Sequence, residues 1–217
     1  TGYRTRDLGW NRNLGNSRMS IYPELSPSPA YFSYLPKEPR PILLIGAGGI
    51  VRDAHLPAYK KAGFPVWGIV NRTESRAREL AEQFGIQHVY QSLQQAVSEA
   101  PINTVFDLAL MPEQYVETLM ALPDNSAVLI QKPLGHNLEQ AKELLELCRR
   151  KNLTAAVNTQ LRFAPYIEKA RKLMATGQLG KIFDFEIKIS VNTPWELFPH
   201  VFGLDRLEIN MHSVHYL

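Results

Sequence analysis

From Pro41 onward the apolar and polar positions fall into two rhythms that take turns along the chain. Short runs rich in branched residues at 41–46, 64–70, 87–90, 103–109, 126–130 and 153–158 predict strands. Between them, apolar residues spaced three and four apart predict helices at 50–62, 73–84, 92–99, 113–121 and 137–150. Parallel neighbours need crossover connections, so short strands separated by helices predict an α/β fold with a doubly wound parallel sheet. Within the last of these helices, Asn137 and Gln140 make a capping-box start. Leu138, Ala141, Leu145 and Cys148 form its expected apolar stripe, which makes Cys148 a packing residue.

After residue 158 the rhythm changes. A helix at 164–175 leads through Gly177 and Gly180 into Lys181–Val191, where apolar residues mostly alternate with polar ones, as in a half-solvated antiparallel strand. Such a strand cannot stand alone, so it predicts the opening of a second, α+β domain with its own open antiparallel sheet. At the other end, residues 19–40 are proline-rich with interspersed Tyr22, Tyr31, Phe32 and Tyr34, and regular structure is not expected there. The expected organisation is therefore an irregular leader over 1–40, a first domain over 41–158, and the start of a second, incomplete domain over 159–217. Thr1 in first place, Met19 as the first methionine and the stop at Leu217 inside a helical pattern suggest a fragment, with 1–18 foreign to the native protein.

Charge and cysteine content narrow the class. The whole +3 excess lies in residues 1–18, where Arg4, Arg6, Arg12 and Arg18 face only Asp7, so the basicity does not indicate a nucleic-acid partner. No apolar run approaches the ~20 residues of a membrane span. A single cysteine forbids an internal disulfide and fits a cytoplasmic location.

Three stretches carry candidate chemistry. The first is Gly46-Ala-Gly48-Gly49-Ile50-Val51, directly after an apolar strand and before a helix. Glycines there allow a tight turn and let a pyrophosphate approach the helix N-terminus, as in a dinucleotide-binding Rossmann unit. Val51 stands where that pattern has Gly or Ala. At the end of the second strand, Asn71-Arg72 offers no acid for a ribose 2′-hydroxyl, and Arg72 suits a 2′-phosphate, so NADP is favoured with NAD as the alternative. The second stretch is Gln131-Lys132-Pro133 after the fifth strand, where a lysine could polarise a hydroxyl or carbonyl and pass a proton. The third is Glu208-Ile-Asn-Met-His212-Ser-Val-His215, whose spacings put Glu208, His212 and His215 on one helical face. No clear fourth ligand accompanies them, so no metal site is expected, and an orienting or acid–base role suits His212 better. His55, in the first helix, reads as a packing or capping residue. No Gly-x-Ser-x-Gly elbow supports a hydrolase triad.

Together these stretches resemble the Gfo/Idh/MocA family of NAD(P)-dependent oxidoreductases from about Pro41 to the end. Further landmarks are His55-Leu-Pro-Ala, Met111-Pro112, Gln160-Leu-Arg162-Phe-Ala-Pro165 and Gly177-Gln-Leu-Gly180-Lys-Ile. The resemblance implies a Rossmann domain followed by a substrate domain that often mediates homo-oligomers, acting on a small carbohydrate-like molecule with no membrane partner. It implies Lys132, His212 and Glu208 as catalytic residues. Cofactor contacts would come from Gly46, Gly48, Gly49, Ile50, Asn71, Arg72, Pro112, Gln131 and Lys132, and substrate contacts from Arg162 and His215. Gln131 departs from the family glutamate, Glu208 from its aspartate, and His215 from a frequent aspartate. The expected activity is hydride transfer between a nicotinamide and a sugar, cyclitol or related alcohol. The alternative is a non-catalytic dinucleotide-binding regulator or scaffold derived from such an enzyme.

Overall fold

The computed structural model describes residues 35–186, 188 and 203. Six strands run parallel in the order β3-β2-β1-β4-β5-β6: β1 Ile42–Ile45, β2 Val66–Val70, β3 His88–Tyr90, β4 Val105–Leu108, β5 Ala127–Ile130 and β6 Thr154–Val157. Each lies inside its expected run. The helices are α1 Leu56–Ala62, α2 Glu74–Phe84, α3 Leu93–Glu99, α4 Tyr115–Ala121, α5 Leu138–Arg150 and α6 Pro165–Ala175. This is the doubly wound Rossmann order, with the sheet reversing its direction of growth between β1 and β4.

Burial on both faces explains the unbroken apolar runs. Leu43 and Ile45 of β1 join a core with Phe106, Leu108, Tyr115, Leu119, Val128, Ile130 and Leu144. Ile42 and Leu44 face the other way, onto Val51, Leu56, Ala77 and Leu80. A strand between two such cores has no polar face, which is why its pattern does not alternate.

Three local expectations change. The first helix is not uniform over 50–62. Over Val51–His55 the backbone widens, with Leu56 N–H bonding back five residues to Val51 C=O, before α1 proper begins. Pro57 lacks an N–H, and its ring crowds the carbonyl four residues earlier, so a wider turn relieves the start of α1. In α5 the sheet-facing side chains are Leu144, Leu147 and Cys148, whereas Leu138 and Leu145 are exposed. The amphipathic period was right and the face was rotated by about one residue. Asn137 caps Gln140 N–H at 2.9 Å, while the Gln140 side chain reaches one residue further back, accepting from His136 N–H at 2.8 Å. Finally, residues 181–186 form no strand. An alternating segment acquires strand geometry only from a partner's ladder, and the rest of Lys181–Val191 apart from Lys188 lies outside the described residues, as does the 1–34 part of the leader.

Among the described glycines, Gly46 is the one whose added Cβ would come closest to the backbone of a neighbouring chain segment. Its φ is +116°, and a Cβ there would run into the Ala109 carbonyl oxygen, with the carbonyl carbon 3.1 Å away. Gly48 has nothing within 4 Å of an added Cβ and an ordinary φ. Gly46→Ala is therefore expected to lower unfolding free energy by about 2–4 kcal/mol through strain and overpacking. Gly48→Ala should cost less than about 1 kcal/mol. Urea denaturation of the two variants checks the contrast, and equal losses would contradict it.

Candidate functional site

The site is built at the C-terminal edge of the sheet, where the chain leaves β1, β2, β4 and β5. The ladder continues past the strands: Gly46 N–H donates to Val70 C=O at 2.8 Å, Ala109 N–H to Ile45 C=O and Gln131 N–H to Leu108 C=O, both at 2.9 Å. Three exits, at Gly46, Ala109 and Gln131, are thereby held in register. Gly48 C=O then accepts from Val51 and Arg52 N–H at 3.1 and 3.2 Å, which starts the helical turn. Asn71 braces that turn from β2. Its Oδ1 accepts from Ala47 N–H at 3.2 Å while its Nδ2 donates to Thr73 C=O at 2.8 Å.

Beside the turn lies a cavity of about 340 Å³ lined by Ala47, Gly48, Gly49, Arg52, Arg76, Glu79 and Leu80. Gly48 is exposed, and an added Cβ there would meet open space, so packing does not explain its lack of a side chain. A glycine there leaves the backbone open to close approach by a molecule outside the protein. Helix-start amides have no intrahelical acceptors and favour an anion, so the turn fits a dinucleotide's pyrophosphate. Two cations line the cavity. Arg52 is engaged by Asp53 through Nε–Oδ1 and Nη2–Oδ2 contacts of 2.7 and 2.9 Å. Among the described residues Arg76 has no ion-pair partner, and neither has Arg72, which is exposed and is not part of the cavity wall. Arginine 76, absent from the sequence-based set, is thus better placed than its neighbour at 72 to meet a ligand in this cavity.

Gln131, Lys132 and Pro133 form the β5 exit, and the Lys132–Pro133 peptide is cis. Lys132 is half-buried, and loss of solvent around its ammonium holds its pKa below the ordinary lysine value. Pro112 is buried at the start of a short turn after β4, and Ile50 is exposed at the glycine turn. Arg162 sits exposed in the turn Gln160–Phe163 after β6. Glu208, His212 and His215 lie outside the described residues. Among the described residues no group of three or more His, Cys, Asp or Glu side chains could hold a metal ion, and no helix is long and apolar enough to cross a membrane.

Under this edge lies a polar network that sequence reasoning missed. Asp107, in the middle of β4, is fully buried, and its Oδ2 accepts from Tyr59 Oη at 2.8 Å and pairs with His55 Nδ1 at 2.7 Å. Burial and the adjacent carboxylate push the Tyr59 hydroxyl pKa well above its ordinary value. On the other side of the ring, His55 Nε2 meets Gln131 Nε2 at 3.0 Å and Asn158 Nδ2 at 3.2 Å. Strand register explains the meeting. Leu108, Ile130 and Val157 are neighbours across β4, β5 and β6, so the next position brings Gln131 beside Asn158 on the face that His55 covers. The available signal was an acid inside the run Val105-Phe-Asp107-Leu108, which a buried strand tolerates only with partners.

Comparison with known proteins follows the same residues. A family model described as "Oxidoreductase family, NAD-binding Rossmann fold" matches residues 40–159. The trans-1,2-dihydrobenzene-1,2-diol dehydrogenase of Bos taurus is 26% identical over 141 residues, covering 64% of this chain and 42% of the relative. The 1,5-anhydro-D-fructose reductase of Ensifer adhaerens is 26% identical over 160 residues, 74% of this chain and 47% of the relative. A solved structure of a 3-ketoreductase variant from Actinomadura kijaniata, in complex with TDP-benzene and NADP, superposes with a TM-score of 0.54 at 25% identity over 67% of this chain and 45% of that one. The chain spans less than half the length of each of these relatives.

The lowered pKa of Lys132 has a signed consequence. An unfolded lysine keeps its proton up to about 10.5, so between the lowered folded value and 10.5 the unfolded state binds more protons. Folded-state stability from this group therefore rises with pH across that window, and the cost of burying the charge is present in full below it. Amine-labelling rates at Lys132 followed against pH by mass spectrometry should show a midpoint below 10.5. A midpoint at or above that value would contradict the burial argument.

Proposed function

The chain belongs to the Gfo/Idh/MocA oxidoreductase family, and from that premise we propose that the protein transfers hydride between the nicotinamide of NADP and a sugar, cyclitol or related alcohol or carbonyl compound. The observation that carries the reading is a half-buried lysine at the β5 exit, on the same sheet edge as a glycine turn whose exposed Gly48 serves no packing purpose. The nicotinamide, when bound, supplies or accepts the hydride. The glycine turn would hold the pyrophosphate through helix-start amides. Lys132 would move the proton that accompanies hydride at the substrate oxygen, and its lowered pKa brings it closer to the range in which a lysine exchanges protons. By the resemblance, His212 with Glu208 would serve as the acid–base pair, and Arg162 and His215 would orient the substrate.

NADP rather than NAD is supported by Arg76 on the cavity wall, Arg72 nearby in sequence and the absence of an acid at the end of β2. Names of relatives point the same way on substrate class, since they include a reductase of an anhydro sugar and a dehydrogenase of a cyclic diol. A cytoplasmic site of action and a homo-oligomeric state complete the proposal.

Two measurements test it. In the protein, Lys132→Met should lower kcat by about 10²–10⁴-fold on whichever sugar or cyclitol is turned over, with NADPH affinity nearly unchanged by fluorescence titration. Retained turnover would remove Lys132 from the chemistry, while NADPH binding by the unmutated protein without turnover of any substrate would favour the non-catalytic regulator. Arg76→Ala should weaken NADPH binding roughly 10-fold or more, the scale of one charge-assisted hydrogen bond, and leave NADH binding little changed. Equal losses for both cofactors would place Arg76 away from the 2′-phosphate.

A further inference from the structure

Asp107 belongs to none of the cofactor or substrate contacts above, yet it is a fully buried acid between apolar neighbours in β4. Its Oδ1 accepts no hydrogen bond among the described residues. A carboxylate in that position, with one bare oxygen, is poorer for stability than a well-packed apolar side chain. Packing is therefore not what the residue contributes.

Proton placement in the network follows from one donor that has no choice. Lys132 backbone N–H donates to Gln131 Oε1 at 2.7 Å, which fixes the orientation of that carboxamide. Gln131 Nε2 then faces His55 Nε2 at 3.0 Å, and an amide nitrogen only donates. His55 Nε2 must be bare, and Asn158 Nδ2 at 3.2 Å shares the same lone pair. The ring proton is left on Nδ1, where it points at Asp107 Oδ2, 2.7 Å away. The chain Asp107–His55–Gln131–Lys132 thus runs in one direction, each link setting the next.

We infer that Asp107 is a positioning residue for the Lys132 edge: it fixes His55 as the Nδ1–H tautomer, His55 orients Gln131, and Gln131 pins the Lys132 amide where the chain leaves the sheet. Its meaning for catalysis rests on the oxidoreductase reading. An asparagine at 107 can donate or accept, so both tautomers of His55 become open. In the Nε2–H form the ring N–H opposes the Gln131 N–H, the carboxamide turns over, and the Lys132 amide loses its acceptor.

The test has an arm that needs no turnover. In ¹⁵N-histidine-labelled protein, His55 should show a protonated Nδ1 and a bare Nε2, and the Lys132 amide should exchange slowly with solvent. Asp107→Asn, which is isosteric and removes a buried charge, should give a mixed tautomer and at least a 10-fold faster Lys132 exchange. Gln131→Met should speed that exchange to the same extent without changing the His55 tautomer. In the turnover arm both variants should lower kcat on the order of 10-fold, about one hydrogen bond's worth, with substrate KM little changed. The double variant should be no slower than either single one. An Nε2–H tautomer in the unmutated protein, unchanged Lys132 exchange in Asp107→Asn, or additive losses in the double variant would each overturn the inference. Absence of turnover in the unmutated protein overturns the oxidoreductase reading instead, because tautomer and exchange are read without it.

Discussion

Strand β1 has no free side. It is hydrogen-bonded to β2 on one edge and to β4 on the other, and both of its faces are buried. A chain in that position can leave only at its end, and there the Ala109 carbonyl stands where a side chain on residue 46 would have to be. Glycine with a left-handed φ is the residue that passes. Everything at the candidate site descends from this exit. The turn begins the first helical segment, the helical start offers amides to an anion, and the ladder bonds from Ala109 and Gln131 hold the neighbouring exits level with it.

The buried polar network gives the second half of the edge its order. Hydrophobic packing holds β4 and β5 side by side, but it does not say which way a carboxamide at 131 should point. Asp107, His55 and the Lys132 amide do. The resemblance leads one to expect a glutamate at 131, and the glutamine that stands there is consistent with its neighbours. A carboxylate at 131 would place a second negative group against His55, whose other nitrogen already faces Asp107, and would offer no donor to the bare Nε2. A carboxamide needs no extra proton and supplies a donor to one side and an acceptor to the other. The substitution leaves the Lys132 backbone supported.

What was legible in the residues was whatever a local pattern determines. Strand β1 could be read because a run buried on both faces must be apolar throughout, and the glycine turn because its position after such a run is narrow. Helix α5 was placed correctly and its inward face was not. Leu138 and Leu145 and the buried pair Leu144 and Leu147 are all leucines on one amphipathic helix, and only the sheet's location chooses between them. Asp107 escaped notice for a related reason. Its partners His55, Tyr59 and Gln131 are distant in sequence, and nothing nearby announces that they converge. The Lys181–Val191 alternation was visible but not decisive, because pleating needs a neighbouring strand that the pattern does not contain.

The same division between local and distant causes bears on cofactor choice. Arg72 follows the second strand almost directly, at the position where dinucleotide folds read the ribose. Yet the cavity is lined from α2 by residues at 76, 79 and 80, one helical turn further on. The helix carries Arg76 and Glu79 to the wall together, so the local field there is not simply positive. Arg52 and Asp53 repeat the arrangement from the glycine turn, with the acid already holding the guanidinium in a forked pair. A phosphate entering this space would meet Arg76, which has no ion-pair partner among the described residues, and would have to compete with Asp53 for Arg52. Under the proposed NADP reading, discrimination between phosphorylated and plain ribose would depend on one arginine more than on a basic cluster. That is why the residue at 76, rather than the one at 72, carries the weight of the proposed NADP preference.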